Sequence, residues 1–299
     1  KDDYLPVIYR AEEDQDWRDP ETWRLANPNW GVSVNPDFIK NQYEEACRKP
    51  VQIPSFKRYH LNLPTQKAAT WMDMARWDAC PPLPPEEVLA EAPCWVGVDL
   101  SSKVDTTCVM KVFRVGELFV LVPRIYVPEE TLVEREHRER APYRLWAEQG
   151  LITATPGNVV DFTILERDLF EDARRYRIQE VCFDPYNAGK FVQDLQREGM
   201  TCVEVPQRMQ TLNLATKEIG NLVLQKRLAH GGHAALRWQV SNCMAIEDTK
   251  ANLMLSKRHS MGMSRRRIDA AAAAVTAMCR AMVADDGSSV YETRGVIAI

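Results

Sequence analysis

Two hydrophobic rhythms divide the chain. Up to about residue 78, Trp17, Trp23, Trp30, Trp71 and Trp77 are scattered among Asn, Pro and charged residues, with few clean strand patterns. One stretch there, 36–48 (PDFIKNQYEEACR), carries a helical stripe, with Phe38, Ile39, Tyr43 and Ala46 on one side. Pro81, Pro82, Pro84 and Pro85 then break regular structure. A stretch so rich in proline is stiff and extended, and it predicts a linker and domain boundary at 80–92.

Beyond the linker, strands alternate with helices. Residues 95–100 (WVGVDL) read as a buried strand. Residues 106–115 and 117–127 form two β-rich runs joined at Gly116, a predicted hairpin. The charged stretch 128–150 reads as helix broken at Pro142, and 151–155 as a short strand. A helix is predicted over 162–176 with Asp161 as its N-cap, followed by a strand at 178–183. Further helices are predicted at 187–199, 212–229 and 268–283, with a strand at 202–205. A hairpin followed by strand–helix units predicts an α/β fold: one mixed sheet with helices on its faces, preceded by a small, mainly helical and irregular segment. The Ala-rich helix has side chains small enough to lay its backbone close to the sheet.

Composition narrows the class. The chain has 299 residues, 27% charged and 45% hydrophobic, which is globular. Lys and Arg number 38 against 42 Asp and Glu, a net charge of −4, so any nucleic-acid contact must come from a local basic patch. No apolar run is long enough for a membrane helix, and no signal-peptide pattern opens the chain. A first residue of Lys1 reads as a piece of a longer protein. The eight cysteines form no CxxC pair and read as reduced thiols, mostly buried. His230 and His233 flank a Gly-Gly turn, and a histidine pair in a turn is commoner than a zinc site.

Three carboxylates stand out by position. Asp99 ends the first strand, where Val96 and Val98 point one way and Gly97 and Asp99 the other. Asp184 directly follows the strand 178–183, and Asp269 opens the Ala-rich helix. Each also has a plain structural reading: a strand-end turn, an Asp-Pro turn, a helix-dipole partner. If the two strands are neighbours, Asp99 and Asp184 lie side by side at the sheet edge, and a helix crossing that edge brings in Asp269. Three such carboxylates repel one another unless divalent cations compensate them, and hard oxygen ligands suit Mg²⁺ or Mn²⁺. Two such ions support phosphodiester hydrolysis. Lys257, Arg258, Arg265, Arg266 and Arg267 put five positive charges within eleven residues just before Asp269. That cluster reads as a DNA-backbone contact or as a solvated basic loop.

These residues resemble a known family. Gly97-Val98-Asp99-Leu100-Ser101 with Asp105-Thr106-Thr107, then Phe183-Asp184-Pro185-Tyr186-Asn187-Ala188, then Arg267-Ile268-Asp269-Ala270 are similar to the three nuclease motifs of tailed-phage terminase large subunits. Ser241-Asn242, Asp248 and Lys257 sit where that family often has an Asn, an Asp and a Lys. Residues Glu21-Thr22-Trp23, Ala26-Asn27-Pro28, Tyr59-His60-Leu61-Asn62 and Trp71 resemble the end of the family's ATPase region. The third motif departs from the common pattern in having Ala270 after the Asp.

The resemblance implies residues 1–80 as the trailing part of an ATPase region, 81–92 as linker, 93–284 as an RNase H-like nuclease domain and 285–299 as a flexible tail. It implies a metal-dependent endonuclease cutting double-stranded DNA during genome packaging, with Asp99, Asp184 and Asp269 as catalytic metal ligands and Asp105 and Asp248 behind them. Two divalent cations, Mg²⁺ or Mn²⁺, are its implied cofactors; ATP belongs to an upstream motor, since no GxxxxGK[ST] phosphate loop occurs in this sequence. Implied partners are double-stranded DNA, a portal and a small terminase subunit, in a ring on the capsid, within the host cytoplasm and away from membranes. Two rival readings remain. One is a structural docking module of the packaging motor. The other is an ATPase of the actin and sugar-kinase type, to which Asp99-Leu100-Ser101-Ser102 with Thr106-Thr107 has a faint likeness.

Overall fold

The computed structural model describes residues 7–12, 15–48, 52–63, 69–100, 106–186, 189–248, 251–257 and 267–284. The chain divides into two compact units, 1–69 and 70–299. The division falls before the Pro-rich stretch rather than within the expected 80–92. The reason is visible at Trp77, which is fully buried in the second unit and stacked on His230 at a centroid distance of 4.1 Å.

The first unit is helical. Helices α1 (Pro20–Ala26), α2 (Pro36–Arg48) and α3 (Ile53–His60) close over Trp23, Ile39, Ala46 and Phe56. Asp19 caps α1 by accepting from the Glu21 N–H, and Pro20 fits the first turn because no intrahelical donor is needed there. The chain passes between the units at β1 (Ala69–Thr70), which leads to the short helices α4 (Met74–Asp78) and α5 (Glu86–Glu91).

The second unit is built on a seven-stranded mixed sheet. Its central strands are β2 (Pro93–Asp99), β3 (Thr107–Val115) and β4 (Leu118–Pro128), joined antiparallel, with β3 and β4 forming the predicted hairpin. Gly116 sits at φ 58°, the left-handed conformation that its turn requires and that glycine adopts without strain. Beyond β2 the sheet continues in parallel through β6 (Arg177–Phe183) and β7 (Cys202–Glu204). On its other edge, β4 pairs in parallel with β5 (Thr153–Thr155) and with β8 (Leu228–Ala229). The remaining helices are α6 (Leu132–Glu139), α7 (Tyr143–Glu148), α8 (Phe162–Arg175), α9 (Gly189–Arg197), α10 (Met209–Leu224), α11 (Ala234–Asn242) and α12 (Asp269–Ala281). An antiparallel hairpin, β9 (Cys243–Glu247) with β10 (Leu253–Lys257), lies between α11 and α12.

The two faces of the sheet have different partners. Val96, Val98, Val109, Val181 and Phe183 pack with Leu165, Leu169, Phe191 and Leu195 of α8 and α9. Trp95, Cys108, Met110, Val112 and Cys182 pack with α10 and with the alanines of α12. Alternation along β2 therefore points Val96 and Val98 to one layer, Gly97 and Asp99 to the other. This is the RNase H-like mixed α/β arrangement.

Candidate metal centre

Three contacts fix how α12 crosses the sheet. At its N-terminal end, the Asp269 carboxylate accepts from the Thr106 N–H at 3.0 Å and from the Thr106 hydroxyl at 2.5 Å. At its middle, Gly97 meets the helix backbone: a Cβ there would run into the Ala273 carbonyl oxygen and lie 2.8 Å from Ala277 N. At its C-terminal end, Arg280 donates twice to the Glu180 carboxylate, both bonds 2.7 Å. Glu180 lies opposite Trp95, near the start of β2, and Thr106 immediately precedes β3, beside the end of β2. The helix thus runs antiparallel to β2 and β6, and its first residue stands over their carboxyl ends.

Those ends carry the other two carboxylates. Val98 is in register with Phe183 across the parallel β2–β6 pair, so the next residues, Asp99 and Asp184, are neighbours in sequence register. Gly97 is in register with Cys182, and both belong to the α12 face; two residues on, alternation directs Asp99 and Asp184 to that face too. Asp99 is opposite Cys108 on β3. Burial, together with the charges of Asp99 and Asp269, holds the Cys108 thiol well above its ordinary pKa. Burial and Asp269 do the same to Cys243. Both thiols are therefore held in the neutral form.

Among the described residues no group of three or more His, Cys, Asp or Glu side chains is arranged to hold a metal ion. The Asp184 carboxylate accepts from the Tyr186 N–H at 3.4 Å, closing a turn on its own backbone. Asp269 is 3% exposed and held by Thr106, whereas Asp99 and Asp184 are half-buried at the edge.

Asp248 lies in the β9–β10 turn. Its carboxylate accepts from the Asn252 N–H at 2.9 Å and from the Asn252 side-chain amide at 2.8 Å, which shapes the β9–β10 turn. Asp105, Arg258, Arg265 and Arg266 lie outside the described residues, and of Lys257 only the backbone, opposite Cys243, is described.

Arg267 requires a correction. The basic run suggested a phosphate-facing side chain, but Arg267 is fully buried and donates to the Glu139 carboxylate at 2.7 and 3.0 Å. Glu139 also accepts from the Tyr143 hydroxyl at 2.5 Å and from Arg138 at 2.8 Å. Burial pushes the Glu139 carboxyl up, yet the bonds from Arg267, Tyr143 and Arg138 outweigh it and hold its pKa below the ordinary carboxylate value. A guanidinium buried against a carboxylate cannot reach DNA; it fixes the segment leading into α12. Two further residues stand around Asp269: Asn242, which the resemblance to the family had marked, and Gln239, which gave no sequence signal. Asn242 donates to the Arg267 carbonyl at 3.2 Å, and Gln239 bonds both Thr106 and the backbone of α12.

Comparison with known proteins assigns the family. The model of the terminase large subunit endonuclease domain matches residues 1–285, and the chain belongs to this family. It is 27% identical over 258 residues to the terminase large subunit of Enterobacteria phage HK97, covering 85% of this chain and 51% of that protein. It is 26% identical over 293 residues to protein YmfN of Escherichia coli K12, covering 94% of this chain and 64% of YmfN. The crystal structure of the HK97 large terminase superposes with a TM-score of 0.70 at 26% identity, over 91% of this chain and 56% of that one. The chain thus spans between about half and two-thirds of these relatives' lengths.

Proposed function

We propose that this chain is a divalent-metal-dependent endonuclease that cuts double-stranded DNA during viral genome packaging. The observation that carries this reading is the shared position of Asp99, Asp184 and Asp269 at one end and on one face of the sheet. Membership of the terminase nuclease family supports it.

The donor set fits hard cations. It consists of carboxylate oxygens, the hard donors that Mg²⁺ and Mn²⁺ prefer. Asp99, Asp184 and Asp269 would hold Mg²⁺ or Mn²⁺. Such ions, when bound, supply Lewis-acid activation of water and of the phosphodiester. Asp184, half-buried at the sheet edge beside Asp99 in register, would be one of the ligands. Thr106 would keep Asp269 oriented. Lys257, Arg258, Arg265 and Arg266 would bind DNA phosphates.

Partners follow from the same reading: a portal, a small terminase subunit and a ring assembled on the capsid in the host cytoplasm. ATP would be used by motor segments that carry a phosphate loop. The described residues contain no helix long and apolar enough to cross a membrane.

A docking module is the second reading. The one observation in its favour is that no ready metal-holding group of side chains occurs among the described residues. Plasmid cleavage separates the two. Nicking that requires Mg²⁺ or Mn²⁺ and disappears in Asp184→Ala supports the nuclease. No cleavage by the intact protein at any metal concentration favours docking.

A further inference from the structure

The N-terminus of α12 needs a cap that its own sequence does not provide. Ile268 stands at the cap position and has no side-chain acceptor. The missing acceptor comes from another helix: Gln239 of α11 takes the Ala270 N–H on its Oε1 at 2.7 Å. Gln239 is 2% exposed, and its amide nitrogen donates to the Thr106 hydroxyl oxygen at 3.3 Å. The orientation of the amide is fixed, because the Ala270 N–H can only donate and so must face the oxygen. It follows that Thr106 receives a hydrogen bond from Gln239 and directs its own proton to Asp269, 2.5 Å away. The four groups form a closed ring in which every donor has one direction.

From this ring we infer that Gln239 is a positioning residue for Asp269. It does not reach the reacting atoms; it sets the direction of the Thr106 hydroxyl, and through it the aim of the Asp269 carboxylate, while tying that carboxylate's helix to α11. The consequence is tighter binding of divalent cations. This inference rests on the nuclease reading above. Groups that orient a metal ligand in this way typically change metal affinity by about 10–100-fold when they are removed.

The test compares the full chain with Gln239→Met and Gln239→Glu. Methionine fills the same space and loses both hydrogen bonds. Glutamate keeps an acceptor for Ala270 and loses the donor to Thr106, so it also serves if the methionine variant fails to fold. Mn²⁺ binding is read directly by electron paramagnetic resonance, and plasmid cleavage is titrated with Mn²⁺ in parallel. The inference expects both variants to weaken Mn²⁺ binding by roughly 10-fold or more, with the cleavage rate returning towards wild type at saturating Mn²⁺. A residue that merely filled the core would lower the rate at every Mn²⁺ concentration and leave the half-saturating concentration unchanged, and that result would overturn the inference. If the wild-type chain binds Mn²⁺ no better than Asp269→Ala, the nuclease reading itself fails and this inference falls with it. Wild-type binding that survives in both Gln239 variants overturns the positioning role alone.

Discussion

Gly97 and Ala273 are in backbone contact across the sheet–helix interface. No side chain fits between them, since a Cβ on Gly97 would collide with the Ala273 carbonyl and crowd Ala277 N. This close approach lies one helical turn from Asp269 and two strand residues from Asp99, so it sets the spacing of both carboxylates.

Gly97→Ala should therefore do more than crowd the core. The obstacle is helix backbone, which cannot turn aside as a side chain does. Overpacking of this kind costs about 1–3 kcal/mol. Denaturant melts should show that loss, and the variant should lose metal-dependent cleavage out of proportion to it because α12 is pushed off the sheet. A variant with wild-type stability and activity would show that the close approach does not matter.

The Arg267–Glu139 pair predicts a separation between stability and DNA binding. Arg267→Met leaves Glu139 buried without its main partner, a loss of about 3–5 kcal/mol. Adding Glu139→Met to it should restore much of that stability, as a double-mutant cycle would read. At salt concentrations where the protein stays folded, Arg267→Met should leave the salt dependence of DNA binding unchanged. Replacing Arg265 or Arg266 should instead reduce the slope by about one for each phosphate that is no longer neutralised.

Two histidines make the second unit sensitive to acid. The Nδ1 of His230 accepts the Gly232 N–H at 3.2 Å, so its Nε2 carries the proton shared with the Trp77 carbonyl at 2.9 Å. The Nδ1 of His233 accepts the Leu236 N–H at 3.2 Å and caps α11. Burial lowers both pKa values below the ordinary 6.5. The unfolded chain takes up these protons near pH 6.5 while the folded chain resists them, so stability is present above that pH and is lost as the pH falls towards the folded values. Urea melts from pH 7.5 to pH 5 should show that decline. His233→Asn keeps a capping acceptor and should make the decline shallower; an unchanged slope would remove His233 from the account.

What could be read from the sequence depended on how local the cause was. The Gly116 turn, the Asp161 cap and the strand ending in Asp99 are set by neighbours within a few residues, and all three form as the pattern suggests. Leu228 and Ala229 read as the end of a helix, but Lys226 turns to φ 57° and releases them to pair with Phe119 and Val120 of β4. Helix α11 and the β9–β10 hairpin gave no clear period, since buried and polar residues mix there under the control of distant partners. The roles of Arg267 and Gln239 were invisible for the same reason. Their partners, Glu139 and Thr106, are 128 and 133 residues away. In sequence an arginine run looks the same whether it faces DNA or is buried against a carboxylate.

A crystal of this chain soaked in Mn²⁺ and measured for anomalous scattering would show directly whether the three aspartates share a metal. One or two peaks are expected, about 3.5–4 Å apart if two, in contact with oxygens of Asp99, Asp184 and Asp269. Manganese bound elsewhere, or a soaked crystal in which no peak forms between the three, would contradict the nuclease reading.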